Sequence, residues 1–210
     1  MNTPATISCP SLSEKDLPQS GAIPASLALS APVRMQQGWL ETPQLGFLPA
    51  EIRVGWTSSR LVVLAEIPDQ DIFTLATGPN QRTWELGDVF EIFLQAEDRT
   101  DYVELHVTPP NFRLQLHIES PGKPATQLDD GVFSSRVKID AANQRWTVYA
   151  EVPASLVSGR DHIHSGESWR FSFSRYDAFR DGHPLVLSST SPHQAVNFHR
   201  THEWGKITFC

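Results

Sequence analysis

The sequence predicts an all-β fold, a single antiparallel β-sandwich of the jelly-roll or immunoglobulin-like kind, and three observations carry that expectation. Apolar and polar residues alternate in short runs over most of the chain, polar turn-forming residues break those runs, and no stretch sustains a helical period. About nine strands with polar turns between them match a sandwich, and the lack of an internal repeat argues against a propeller or solenoid. A length of 210 residues suits one large domain. The expected organisation is an N-terminal arm at 1–35 and one sandwich domain at 36–210.

The arm is rich in Pro, Ser and Ala and has no period of 2 or 3.6, so it is expected to lie along the domain, partly irregular, with a short edge strand at most. EIRVGWTSSRLVVLAEI (51–67) reads as two strands around a Thr-Ser-Ser turn; the run from Leu61 to Ile67 is apolar enough to be buried on both faces. VFEIFL (89–94), YVELHV (102–107), FRLQLHIE (112–119), WTVYAEV (146–152), WRFSFSRY (169–176), LVLSS (185–189) and KITF (206–209) follow. PASLVSG (153–159) is the one short helical candidate. Alternation places Val103, Leu105 and Val107 in the core and Tyr102, Glu104 and His106 opposite. The same rule expects Phe112, Leu114, Leu116 and Ile118 in the core, with Arg113, Gln115 and His117 outside, so that the two strands would share a polar face.

A net charge of −7 without a dense Lys/Arg cluster argues against nucleic acid, whose phosphates need a local basic surface. The apolar runs are too short to cross a bilayer. No basic stretch followed by an apolar signal core opens the chain, which gives a cytoplasmic expectation unless a leader has been removed. Two cysteines, Cys9 and Cys210, make no disulfide framework, though they would pair if the chain ends met.

No phosphate loop, nucleophile elbow or zinc-protease helix is present, which disfavours an enzyme. Three segments are more specific: Trp84 ahead of DVFEIF (88–93), WTVYAEVP (146–153) with a proline ending the strand, and FHRTHEWGKITF (198–209). In this order they resemble the family 9 carbohydrate-binding modules, β-sandwiches that bind xylan and cellulose beside polysaccharide-degrading enzymes, and the resemblance covers about residues 50–209. It implies non-catalytic binding of a xylan- or glucan-type saccharide. One sugar unit would lie between two rings, matched here by Trp84 and Phe198. Glu91 matches the acidic partner of the sugar hydroxyls, His106 and His183 fall where arginines stand in the sugar-binding pattern, and Asn197 lies near an amide position.

The chemistry suits those roles, because a pyranose has an apolar C–H face for a ring and hydroxyls that need oriented polar partners. Here one ring is Phe rather than Trp, and the arginines are replaced by histidines. Trp204, Trp56, Trp146 and Trp169 are expected to be packing residues. The resemblance also implies structural Ca2+, for which Asp69 and Asp71 in IPDQDI offer oxygen ligands. The cluster His193, His199 and His202 is the nearest approach to a zinc site, with no Cys or helical HxxxH to support it. The alternative is a sandwich that has lost sugar binding and serves as a protein-interaction module.

Overall fold

The computed structural model describes residues 3–18 and 29–210; the part of the expected arm at 19–28 lies outside the described residues. Two sheets face each other. The larger is built from β1 (Thr6–Cys9), β5 (Val89–Ala96), β6 (Tyr102–Val107), β7 (Arg113–Ile118), β8 (Ala125–Gln127), β11 (Ser168–Asp177), β12 (Val186–Ser189) and β13 (Gly205–Phe209). Its order is β1-β13-β11-β5-β6-β7-β8, with β12 also beside β11. The smaller sheet runs β2-β3-β4-β10-β9, from β2 (Val33–Arg34), β3 (Glu51–Thr57), β4 (Arg60–Pro68), β10 (Arg145–Pro153) and β9 (Ser134–Asp140). The helical candidate forms as α1 (Ala154–Ser158). Among the described residues, no helix is long and apolar enough to cross a membrane.

The inner faces follow the alternation. Phe90, Ile92 and Leu94 of β5, Val103, Leu105 and Val107 of β6 and Phe171 and Phe173 of β11 meet Leu61, Val63 and Ala65 of β4 and Val148 and Val152 of β10. Trp146 and Trp169 are fully buried there, and Trp169 meets Phe209 edge-on at 5.0 Å. The described arm is part of the sandwich. β1 pairs with β13, a parallel pair in an otherwise antiparallel fold, and Leu12 and Leu17 cover Val62 and Tyr149 on the outer face of the small sheet. Burial of β4 on both faces therefore needs the arm. Gly205 is required where β13 meets the arm: a Cβ would lie 2.5 Å from the Phe171 ring and 2.6 Å from the Ala5 carbonyl oxygen.

The chain ends do meet, with the Cys210 amide donating to the Cys9 carbonyl at 2.9 Å. Both thiols are nevertheless free, Cys9 buried and Cys210 exposed.

The expectation for β7 is corrected. Its register pairs Leu116 with Glu104 and Leu114 with His106, and directly paired residues share a sheet face. Leu114, Leu116 and Ile118 therefore stand on the outer face with Tyr102, Glu104 and His106, and Gln115 turns inward beside Leu105. Gln115 is fully buried and satisfied by loops: its Nε2 donates to Asn80 Oδ1 at 3.1 Å and its Oε1 accepts from the Gly131 amide at 3.0 Å. Loop segments around Asn80 and Gly131 cover this side of β7.

Candidate functional site

The outer face of the large sheet is covered at its centre. The segment from Thr190 to Trp204 folds across it, and a hydrophobic, mostly aromatic cluster of Phe93, Tyr102, Ile118, Phe198 and Trp204 fills the interface. Glu203 clasps this segment. Both its oxygens accept from Arg200, Oε1 from Nη2 at 2.7 Å and Oε2 from Nε at 2.8 Å, and Oε2 also meets His193 Nδ1 at 3.0 Å. The Arg200 hydrogen bond holds the Glu203 carboxyl down at about 2 against the opposing effect of burial, and His193 adds to the lowering.

Trp84 is carried by a short 3-10 turn, Thr83–Glu85. The chain returns from it through Gly87 at φ +140°, where a Cβ would lie 2.6 Å from the Thr74 backbone, a conformation open to glycine. Asp88 then fixes the strand entry, with Oδ2 accepting from the Phe73 amide at 2.6 Å and Oδ1 from the Ala178 amide at 2.9 Å.

Between these two supports lies a cleft of about 560 Å³ whose lining includes Trp84, Glu91, Phe93, Glu104, Tyr176, Asn197, Phe198 and His199. Its floor carries ionisable groups. Glu91 is 2% exposed, and its Oε2 has no hydrogen-bond partner. Burial pushes the Glu91 carboxyl up to about 8; His106 opposes the rise and the Glu104 charge reinforces it. His106, beneath the floor, binds Thr83 Oγ1 through Nδ1 at 2.7 Å and Glu104 Oε1 through Nε2 at 2.7 Å. Its Nε2 stands 3.4 Å from Glu91 Oε1. Burial alone would lower the His106 pKa, but the two carboxylates outweigh it and the net shift is upward.

The architecture can be compared with solved structures. No protein-family profile matches the sequence, and no curated protein is significantly similar to it. The family 9 carbohydrate-binding module of Caldicellulosiruptor kristjanssonii in complex with glucose superposes with a TM-score of 0.67 at 17% identity, over 98% of this chain and 96% of that one. This chain has the family 9 carbohydrate-binding module fold. A cellotriose complex from the same organism gives 0.54 at 20% identity, over 76% and 74% of the two chains. A Bacteroides uniformis protein gives 0.65 at 16% identity, over 77% and 78%.

Within this family 9 fold, Trp84, Glu91, Asn197 and Phe198 all line one cleft, although more than a hundred residues separate the first from the last. Trp84 is half-buried, its ring 5.6 Å from His106 and under the Arg82 guanidinium at 5.2 Å. Phe198 is only 5% exposed and is packed by Trp39, Phe93, Tyr176 and His193 at 5.8–6.4 Å between ring centres. His106 does not reach the cleft surface; it ties Glu91 and Glu104 together from below. His183 is not part of this constellation. It lies in the exposed turn between β11 and β12, 3.3 Å from Asp181, beside a separate depression lined by Leu45, Phe179 and Pro184.

Asp69 and Asp71 line one shallow depression together with Arg180. Asp69 is buried and already engaged by the Asp71 amide at 2.9 Å, Trp146 Nε1 at 3.1 Å and Arg175 at 2.9 Å. Asp71 accepts from the Arg180 amide and its guanidinium, each at 2.8 Å. Arg175 and Arg180 stand beside these two carboxylates, and Asp69 also brings an oxygen within 4.8 Å of oxygens of the buried Asp88 and Asp177. The histidines of the closing segment also separate: His193 is buried against Glu203, His202 is exposed, and His199 turns to the cleft with Nδ1 2.8 Å from the Tyr102 hydroxyl.

The candidates read from the sequence did not include Glu104, Tyr176, Arg82 and His199, which also line the cleft. Glu104 was legible, since it lies two residues from His106 on the same strand face. Tyr176 and His199 reach the cleft through strand register and loop folding, which leave no local pattern.

Proposed function

We propose that this protein binds a saccharide without cleaving it, with one sugar unit seated in the cleft between Trp84 and the segment Asn197–His199. The observation that carries this reading is the cleft itself: an exposed indole edge on one side, an aromatic-backed loop on the other, and a buried carboxylate floor between them. The size falls within the roughly 300–1,000 Å³ of small-ligand pockets. The C–H face of a pyranose would pack on Trp84, and Glu91, Glu104, Arg82 and Asn197 would take hydroxyls through charge-assisted or amide hydrogen bonds.

Glu91 and Glu104 rise from adjacent strands of one sheet face and are joined through His106. That arrangement suits hydroxyl recognition rather than acid–base attack from opposite sides of a glycosidic bond. A glucan-type ligand is favoured over xylan because the neighbouring complexes hold glucose and cellotriose. Support of polysaccharide breakdown by an enzyme is the role that such binding would serve. Burial of Phe198 favours a second reading, a protein-interaction module in which one ring of the clamp has become packing.

Calorimetry with glucose, cellotriose and xylotriose separates the two readings. Sugar binding predicts heat with the gluco-oligosaccharides, at least a tenfold loss in Trp84→Ala, and no release of reducing ends. Absence of heat with every sugar overturns it in favour of the interaction module.

A further inference from the structure

The floor of the cleft has a feature that hydroxyl recognition does not require. Glu91, Glu104 and His106 each bring one possible ligand atom within 4.8 Å of the others, and all three are buried. His199 Nε2 lies 3.9 Å from the second Glu104 oxygen. Both histidines are oriented in the same way: Nδ1 is held by a hydroxyl, Thr83 for His106 at 2.7 Å and Tyr102 for His199 at 2.8 Å. In each, Nε2 is turned toward the carboxylates.

A second partner on one ring nitrogen is what fixes tautomer and orientation in metal-ligating histidines. Independently, Glu91 Oε2 is buried in the cleft floor with no hydrogen-bond partner among the described residues, and an uncompensated buried carboxylate oxygen is costly. The 3.4 Å between Glu91 Oε1 and His106 Nε2 is close to the roughly 3.3 Å separation of two ligands on a tetrahedral ion with bonds of about 2.0–2.1 Å, and the 2.7 Å hydrogen bond from His106 Nε2 to Glu104 Oε1 opens to that separation when the ion enters.

We propose that Glu91, Glu104, His106 and His199 form a binding site for a divalent transition-metal ion of the Zn2+ class on the floor of the cleft. Two imidazoles and two carboxylates suit Zn2+ and disfavour Ca2+ and Mg2+, which take oxygen ligands. On binding, the ion takes the place of the proton between His106 Nε2 and Glu104 and of the proton on the Glu91 carboxyl; both protons leave to solvent, and the Nδ1–H of neutral His106 donates to Thr83. Glu91 Oε2 gains the cationic neighbour it lacks. The proposal goes beyond saccharide binding and does not depend on it, since the ion is held by protein side chains alone.

The test is a calorimetric titration of the chelator-treated full chain with ZnCl2 in the absence of sugar, with CaCl2 and MgCl2 as comparisons. One Zn2+ per chain is expected, at least 100-fold tighter than Ca2+. Thr83→Val, which removes only the support of His106, is expected to weaken Zn2+ about 10–100-fold. His199→Ala changes an exposed loop position and keeps the test decisive if substitutions at the buried Glu91 or His106 prevent folding; it should weaken Zn2+ at least tenfold. No Zn2+ binding, Ca2+ binding as tight as Zn2+, or Zn2+ binding unchanged in both Thr83→Val and His199→Ala overturns the proposal. Sugar titration of the chelator-treated protein is scored separately, so loss of the saccharide reading and loss of the metal site give different results.

Discussion

The indole N–H of Trp204 donates to the carbonyl of Phe198 at 2.8 Å, and this one bond couples the closing strand to the wall of the cleft. Trp204 is buried against Phe93 and Tyr102, with ring centres at 5.6 and 5.2 Å. The loop that presents Asn197 and Phe198 is therefore set by a residue whose ring belongs to the packing beneath it.

Trp204→Phe keeps most of that ring packing and removes the donor. The Phe198 carbonyl would be left without its partner in a buried setting, at a cost of about 1–3 kcal/mol. Urea denaturation should show the lowered midpoint, and sugar affinity should fall because the loop is no longer pinned. Unchanged stability would show that the bond is replaced by solvent.

Glu203 makes the same loop sensitive to acid. Its folded pKa, about 2, lies below its ordinary value of 4.5, so its contribution to stability is fully present above pH 4.5 and is lost as pH falls from there toward 2. Glu203→Gln should lower stability at pH 7 by about 1–3 kcal/mol through loss of charge-assisted bonds. It should also flatten the stability profile between pH 4.5 and 2. Denaturation midpoints of both proteins across that window test the sign; parallel profiles would exclude Glu203 as a source of the acid dependence.

Gln115 tests the register of β7. Gln115→Leu places an apolar side chain on a buried position where Asn80 Oδ1 and the Gly131 amide rely on the amide group. A loss of about 1–3 kcal/mol is expected, although the substitution makes the chain more hydrophobic. Chemical denaturation gives the answer, and a gain in stability would place Gln115 at the surface.

The positions of nine strands, the inward face of β6, and the aromatic–acidic motif at Trp84 to Glu91 were legible because each is carried by local alternation or by residues close together in the chain, whereas β2, β8 and β9 were not read. Nor was the inward face of β7 legible. Leu114, Leu116 and Ile118 alternate correctly, but alternation distinguishes two faces without saying which lies inside. Here the outer face is itself apolar, because Phe198 and Trp204 cover it. His183 lies apart from the cleft for a related reason: a polar residue near a motif can point to a turn as readily as to a ligand.

By itself, the sequence pointed to an all-β sandwich with three motifs in family 9-like order, and it marked Trp84, Glu91, His106, His183, Asn197 and Phe198 as residues to bring together. Period-2 patterning and turn residues act over a few residues and are therefore readable in one dimension. Only the tertiary structure decided that Phe198 is packed rather than open, that His106 lies beneath the floor, and that Tyr176 and His199 join it. Those outcomes depend on which strands pair, in what register, and which loop crosses the sheet, contacts made between segments far apart in the chain.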